Sequence, residues 1–237
     1  MAFPSPDCSR DALEPSPACC YSGRYLPRAV PPPMLNALEI TRLQDEATVR
    51  WHQEPSAPVP LAPNSSNPEA DLIDLVLVHH RANFDLWHEE DKVREPGACD
   101  AAIARLKRSI DILNQKRNDL VESIDRLLLA AAGEQSPDAP LHSESPGLIL
   151  DRLSVLALKL YHTSEEAHRI TASDAHRQRN LNRLDLLREQ RDDLAACLDE
   201  FWQQVRSGRR RFKLYRQLKM YNDPDLNPVI YTHNSDA

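Results

Sequence analysis

The chain has 237 residues, 29 Lys and Arg against 36 Asp and Glu, a formal net charge of −7, and only 5 Gly. So few glycines in a chain rich in Leu, Ala, Arg, Asp and Glu exclude a Gly-turned sandwich or barrel and indicate an all-α fold. Cys8, Cys19, Cys20, Cys99 and Cys197 are odd in number and form no CxxC pair, which excludes a disulfide framework and a zinc knuckle.

Residues 1–33 carry eight prolines and no apolar period, so they are expected to be a disordered tail. Met34 then precedes a helical stretch over 34–54, with Leu35, Leu38 and Leu43 on one stripe, and is a candidate translation start. A Pro/Asn/Ser linker follows at 55–69. Residues 70–208 read as four helices at 70–94, 99–131, 147–169 and 173–207, broken by EPGAC, by a long Pro/Ser/Gly loop and by a Thr-Ala-Ser-Asp turn suited to an N-cap. Residues 209–231 form a basic arm, read as a helix followed by an extended tail, and 232–237 a disordered end. The densest apolar segment, DLIDLVLVHH, is interrupted by charge, and no signal-peptide run is present. The expectation is a soluble, cytoplasmic protein.

An ungapped repeat with an offset of 74 runs through the helical region. Trp87-His88 falls on Tyr161-His162, Asp91 on Glu165, Leu113 on Leu187, Arg117 on Arg191, and Asp119-Leu120 on Asp193-Leu194. Matching along a whole helical hairpin predicts two copies of that hairpin. With short turns they would make an up-down-up-down four-helix bundle, flanked by the N-terminal helix and the basic arm.

The seam residues of the second helix run Ile103, Leu106, Ile110, Leu113, Arg117, Leu120, Ile124 and Leu127. In the fourth helix they are Leu184, Leu187, Arg191, Leu194, Leu198 and Phe201. Each arginine interrupts an apolar row, and a buried guanidinium requires an anion beside it. Asp74 and Asp151 lie near the right level as internal partners that would fix the register. A bound anion, met by Arg117 and Arg191 with His80 and Asn83, is the other answer.

His88 with Asp91, and His162 with Glu165, are i, i+3 pairs able to present an imidazole and a carboxylate together as catalytic candidates. Dinuclear carboxylate bundles use the reverse order, Glu-x-x-His, with a Glu from two further helices. No inward Glu occurs on the second or fourth helix, so neither a metal nor another cofactor is expected. No nucleotide loop, nucleophile elbow or HExxH motif is present.

The segment RRRFKLYRQLK, 209–219, holds six Lys or Arg and no acid, leaving the rest of the chain at −13. An acidic body argues against nucleic acid or membrane as partner and for an arm that folds back on the helices.

The stretches FDLWHEEDK, LNQKRNDL and YRQLKMYNDPDLNPVIY, together with the WH at 51–52, resemble a bacterial family known as domain of unknown function 4254, from about Leu35 to Tyr231. The resemblance implies a bacterial origin and brings no activity, cofactor or catalytic residue. The function expected from the residues is a protein-interaction or accessory module, with a protein partner or a second copy, built around a buried Arg layer. The alternative is a binder of, or an enzyme acting on, a phosphate-bearing small molecule such as a sugar phosphate or nucleotide sugar.

Overall fold

The computed structural model describes residues 35–59, 67–216, 225, 226 and 228. The expectations for residues 1–34, for 60–66 and for most of 217–237 lie outside them. The described chain is all-helical, with α1 at Ala37–Gln53, α2 at Pro68–Val93, α3 at Asp100–Ala132, α4 at Pro146–His168 and α5 at Asp174–Arg206. No described helix is long and apolar enough to cross a membrane.

Local chemistry sets the helix ends. Asn36, Asn67, Ser145 and Ser173 are N-caps whose side chains accept the amides of Glu39, Glu69, Leu148 and His176, and a proline opens α2 and α4. Gly208, at φ +71, lies just beyond the C-cap Ser207 of α5, in the left-handed region that glycine tolerates. The four later helices begin and end within two residues of their expected bounds.

α4 is the hub and packs against all four other helices. The most extensive pairings are α2 with α3 and α4 with α5. The N-terminal helix is no appendage: α1 packs on α2, α4 and α5, while α2 and α5 touch at most marginally. Leu35, Ala37 and Ile40 share a core with Leu72, Leu75, Leu150, Leu153, Leu198 and Trp202. Farther along, Trp51 packs with Phe84 and Leu158, so α1 runs beside α2 in the same sense.

α3 and α5 also meet at most marginally. Along the expected seams, Ile124, Leu128, Leu198 and Phe201 join the main core, while Ile110 and Leu184 are buried nearer the other end, Leu184 in a separate cluster with Leu160 and Ala167. Ile103, Leu106, Leu113 and Leu120 on α3, and Leu187 and Leu194 on α5, are half-buried. An open cleft of about 550 Å³ lies there, lined by Arg117, Asp151, Arg152, Lys159, Leu194 and Cys197 among others.

The basic arm begins differently from its expectation. Residues 211–216 are not helical, and the loop after α3 holds the backbone of Arg211 and Phe212. His142 N–H donates to the Arg211 carbonyl at 2.8 Å, and Arg211 N–H donates to that of Pro140 at 3.1 Å. Phe212, 2% exposed, inserts against Phe201, and its N–H donates to Gln135 Oε1 at 2.9 Å.

Candidate functional site

The polar residues of α2 and α4 converge on a buried network. Asp151 accepts from His79 Nε2 at 2.9 Å, from Asn83 Nδ2 at 3.1 Å and from Arg117 Nε at 2.6 Å; Arg117 Nη2 completes a fork on the second carboxylate oxygen. Burial pushes the Asp151 carboxyl up, but the hydrogen bonds from His79 and Arg117 outweigh it and hold the group below its usual range. The same contact raises Arg117.

Beside it runs a hydrogen-bonded chain with a fixed direction. Asn83 Nδ2 donates to Ser154 Oγ at 2.9 Å, and Ser154 Oγ lies 2.8 Å from His80 Nδ1. His80 Nε2 lies 2.8 Å from Thr48 Oγ1, which donates to the Gln44 carbonyl at 2.8 Å. Thr48 has one proton and gives it to Gln44, so His80 must donate through Nε2 and accept from Ser154 through Nδ1. That tautomer is neutral, and burial with the neighbouring His79 lowers the His80 pKa to about 3.

The two seam arginines do not share one anion. Arg117 lies against Asp151 of α4, whereas Arg191 Nη1 donates to Asp45 of α1 at 2.7 Å. Asp74 pairs with neither arginine. Its place as the second partner is taken by Asp45, because α1 lies between α2 and α5 and supplies the nearer carboxylate. Burial raises the Asp45 pKa against the pull of Arg191. His80 and Asn83 face the α4 side of the network, and no anion pocket unites them with Arg191 among the described residues.

A second cluster lies where α1 ends beside α2 and α4. His162 Nδ1 is 3.0 Å from Glu165 Oε2, but His88 turns away from Asp91, its Nδ1 donating to the Phe84 carbonyl at 2.8 Å. The i−4 carbonyl is the closer acceptor on the same helix, and Asp91 is exposed. The unforeseen member is His52 of α1, whose Nδ1 donates to the Thr48 carbonyl at 2.8 Å. Its ring stacks on Tyr161 at 4.0 Å, while Trp87 stacks on His162 at 5.0 Å. One ring nitrogen from each of His52, His88 and His162 lies within 4.8 Å of the others.

Sequence reasoning located His88 and His162 and passed over His52. The available signal was three aromatic-histidine pairs, Trp51-His52, Trp87-His88 and Tyr161-His162. The first lies outside the stretches that match at an offset of 74 residues, so no matching pair draws attention to it.

The model of a family described as Protein of unknown function (DUF4254) matches residues 73–214, more than half of the chain, so the chain belongs to that family. No curated protein and no solved structure matches it.

Proposed function

We propose that this DUF4254 member is a helical interaction module, acting as an accessory subunit or with a second copy, whose Arg117–Asp151 layer is a register device and not a ligand site. The observation that carries this reading is that both seam arginines already have carboxylates of the chain itself, Asp151 and Asp45. A phosphate would find Arg117 neutralised, and His80 and Asn83 occupied by Ser154, Thr48 and Asp151. A buried ion pair contributes little net stability but penalises every register that would separate it.

We further infer that the hairpins α2–α3 and α4–α5 are copies arranged as an up-down-up-down bundle about a pseudo-two-fold axis. Two pairs equivalent under the 74-residue offset touch each other: His80 with Ser154 at 2.8 Å, and His88 with His162 at 5.8 Å between ring centroids. Equivalent residues can meet in this way only beside a two-fold axis. The symmetry is broken at Asp151, whose equivalent is Leu77, so Arg191 has no matching carboxylate on α2 and takes Asp45.

The test is Arg117→Ala in the full chain. Its melting temperature falls, and its response to phosphates, nucleotides and nucleotide sugars stays the same as that of the wild type; unchanged stability would count against a register role. Light scattering coupled to gel filtration reads self-association directly. A second reading, an anion held in the open cleft, is favoured by Arg152 and Lys159 on its wall. Stabilisation of the wild type by phosphates, lost in Lys159→Ala, would establish it.

A further inference from the structure

We propose that His52, His88 and His162 form a binding site for one divalent transition-metal ion of the zinc class, held by three imidazole nitrogens, with one coordination position left for solvent or an external ligand. The inference is independent of the interaction-module reading, which rests on the arginine pairs.

The first observation is convergence. Three histidines from three helices bring one ring nitrogen each to within 4.8 Å of the others. A tetrahedral zinc ion with nitrogen ligands at 2.0–2.1 Å holds them ~3.4 Å apart, so the rings need to close by ~1 Å. His52 is the second-last residue of α1, where a small rotation of the helix end can supply that movement.

The second observation is the state of the outer nitrogens. In every ring Nδ1 is engaged: by the Thr48 carbonyl in His52, by the Phe84 carbonyl in His88 and by the Glu165 carboxylate in His162. A nitrogen facing a carbonyl oxygen must carry the proton, so Nδ1 is the donor and Nε2 holds the lone pair in His52 and His88. Metal-binding histidines are oriented in this manner, with the non-ligating N–H given to a backbone carbonyl or a carboxylate.

The third observation is what the inner nitrogens lack. Nε2 of His52 and Nε2 of His162 are buried and have no hydrogen-bond partner. Two buried ring nitrogens without a partner, in a cluster of three imidazoles, form an unanswered polar site, and buried polar atoms ordinarily have a partner. A soft-to-borderline cation satisfies all three at once, and imidazole suits zinc, cobalt, nickel and copper. The sequence expectation of no metal considered only His-carboxylate pairs on α2 and α4. The third ligand comes from a helix outside the repeat.

The bound ion would tie the end of α1 to α2 and α4, closing the wedge that α1 makes between the hairpins. Glu165 would act as a positioning residue, holding the His162 ring through Nδ1.

The experiment uses the purified full chain stripped with chelator and titrated with Zn²⁺ and Co²⁺. The proposal expects one ion per chain by calorimetry, the visible absorption of four-coordinate cobalt, and a rise in melting temperature with the metal. His52→Ala, His88→Ala and His162→Ala each abolish that binding, His168→Ala leaves it unchanged, and Glu165→Gln weakens it about 10- to 100-fold. Because an alanine variant can fail to fold, the wild type is also followed by ¹⁵N NMR of its imidazoles, where three histidines shift at Nε2 on adding zinc. No binding of either ion at 100 µM, or binding that survives the His52 and His88 variants, overturns the proposal. It would leave the cluster as a packed aromatic box around Tyr161 and Trp87.

Discussion

His80 and Ser154, 74 residues apart, hydrogen-bond to each other at 2.8 Å in the buried interior between α2 and α4. Each is fully buried, and each completes a chain that begins at Asn83 and ends at the Gln44 carbonyl. Ser154→Ala removes the donor to His80 Nδ1 and one acceptor of Asn83 together. Denaturant unfolding is expected to give a loss of about 1–3 kcal/mol, the cost of leaving buried polar groups unmade. Full retention of stability would show that the chain is not continuous.

The two seam arginines should differ. Arg117→Ala leaves Asp151 ionised in a site where its side chain is only 11% exposed, and is expected to cost about 2–4 kcal/mol. Arg191→Ala releases Asp45, whose side chain is 44% exposed and can be rehydrated, so the loss should stay below about 1 kcal/mol. Urea midpoints of the two variants decide the order. Replacing Arg117 and Asp151 together with apolar residues of similar volume should recover most of the first loss.

Asp125 gives a pH dependence of defined sign. It caps α4 from below, accepting from Ser145 Oγ and from Gly147 N–H at 2.7 Å, and burial raises its pKa to about 6 against 3.8 unfolded. Between those values the folded chain holds a proton that the unfolded chain has released. Stability therefore falls as pH rises from about 4 to about 6, by about 3 kcal/mol, and is level above. Asp151, held low, acts oppositely: its contribution is present above its unfolded pKa and is lost only as the pH falls below about 4. Unfolding free energies at pH 4.5 and 7 for the wild type and Asp125→Asn check this, since the asparagine variant should lose the downward slope. An unchanged slope would rule Asp125 out as its source.

Gly147 lies so close to α3 that a Cβ would stand 2.8 Å from Asp125 Oδ1 and 2.8 Å from the Val121 carbonyl. One of those atoms is backbone and cannot turn aside. Gly147→Ala is expected to lose about 1–3 kcal/mol through forced displacement of α4 from α3, read as a lower thermal midpoint. The same substitution at Gly133 meets no atom within 4 Å but forces an alanine to φ +71, so its cost is conformational, about 1 kcal/mol.

Gln44 is fully buried, and neither atom of its side-chain amide has a partner. Gln44→Met keeps the length and removes both unmet groups, so the melting temperature is expected to rise; a fall would mean that a bound water or ligand group answers the amide.

The five helices and their ends were legible in the sequence because both rest on local chemistry. The 3.6-residue period fixes which stretches can bury a stripe, and Asn36, Asn67, Ser145, Ser173 and Gly208 stop the helices within a few residues of themselves. That Arg117 needed an anion also followed from its frame alone. Which anion each arginine received did not follow, because that depends on the position of α1. Once α1 lies between α2 and α5, Asp45 displaces Asp74 as the partner of Arg191, and His52 joins His88 and His162. The partner of a buried charge is decided by which side chains packing brings within about 3 Å, and 146 residues separate Asp45 from Arg191. Periodicity could set each residue's face; only the tertiary structure could set what that face meets.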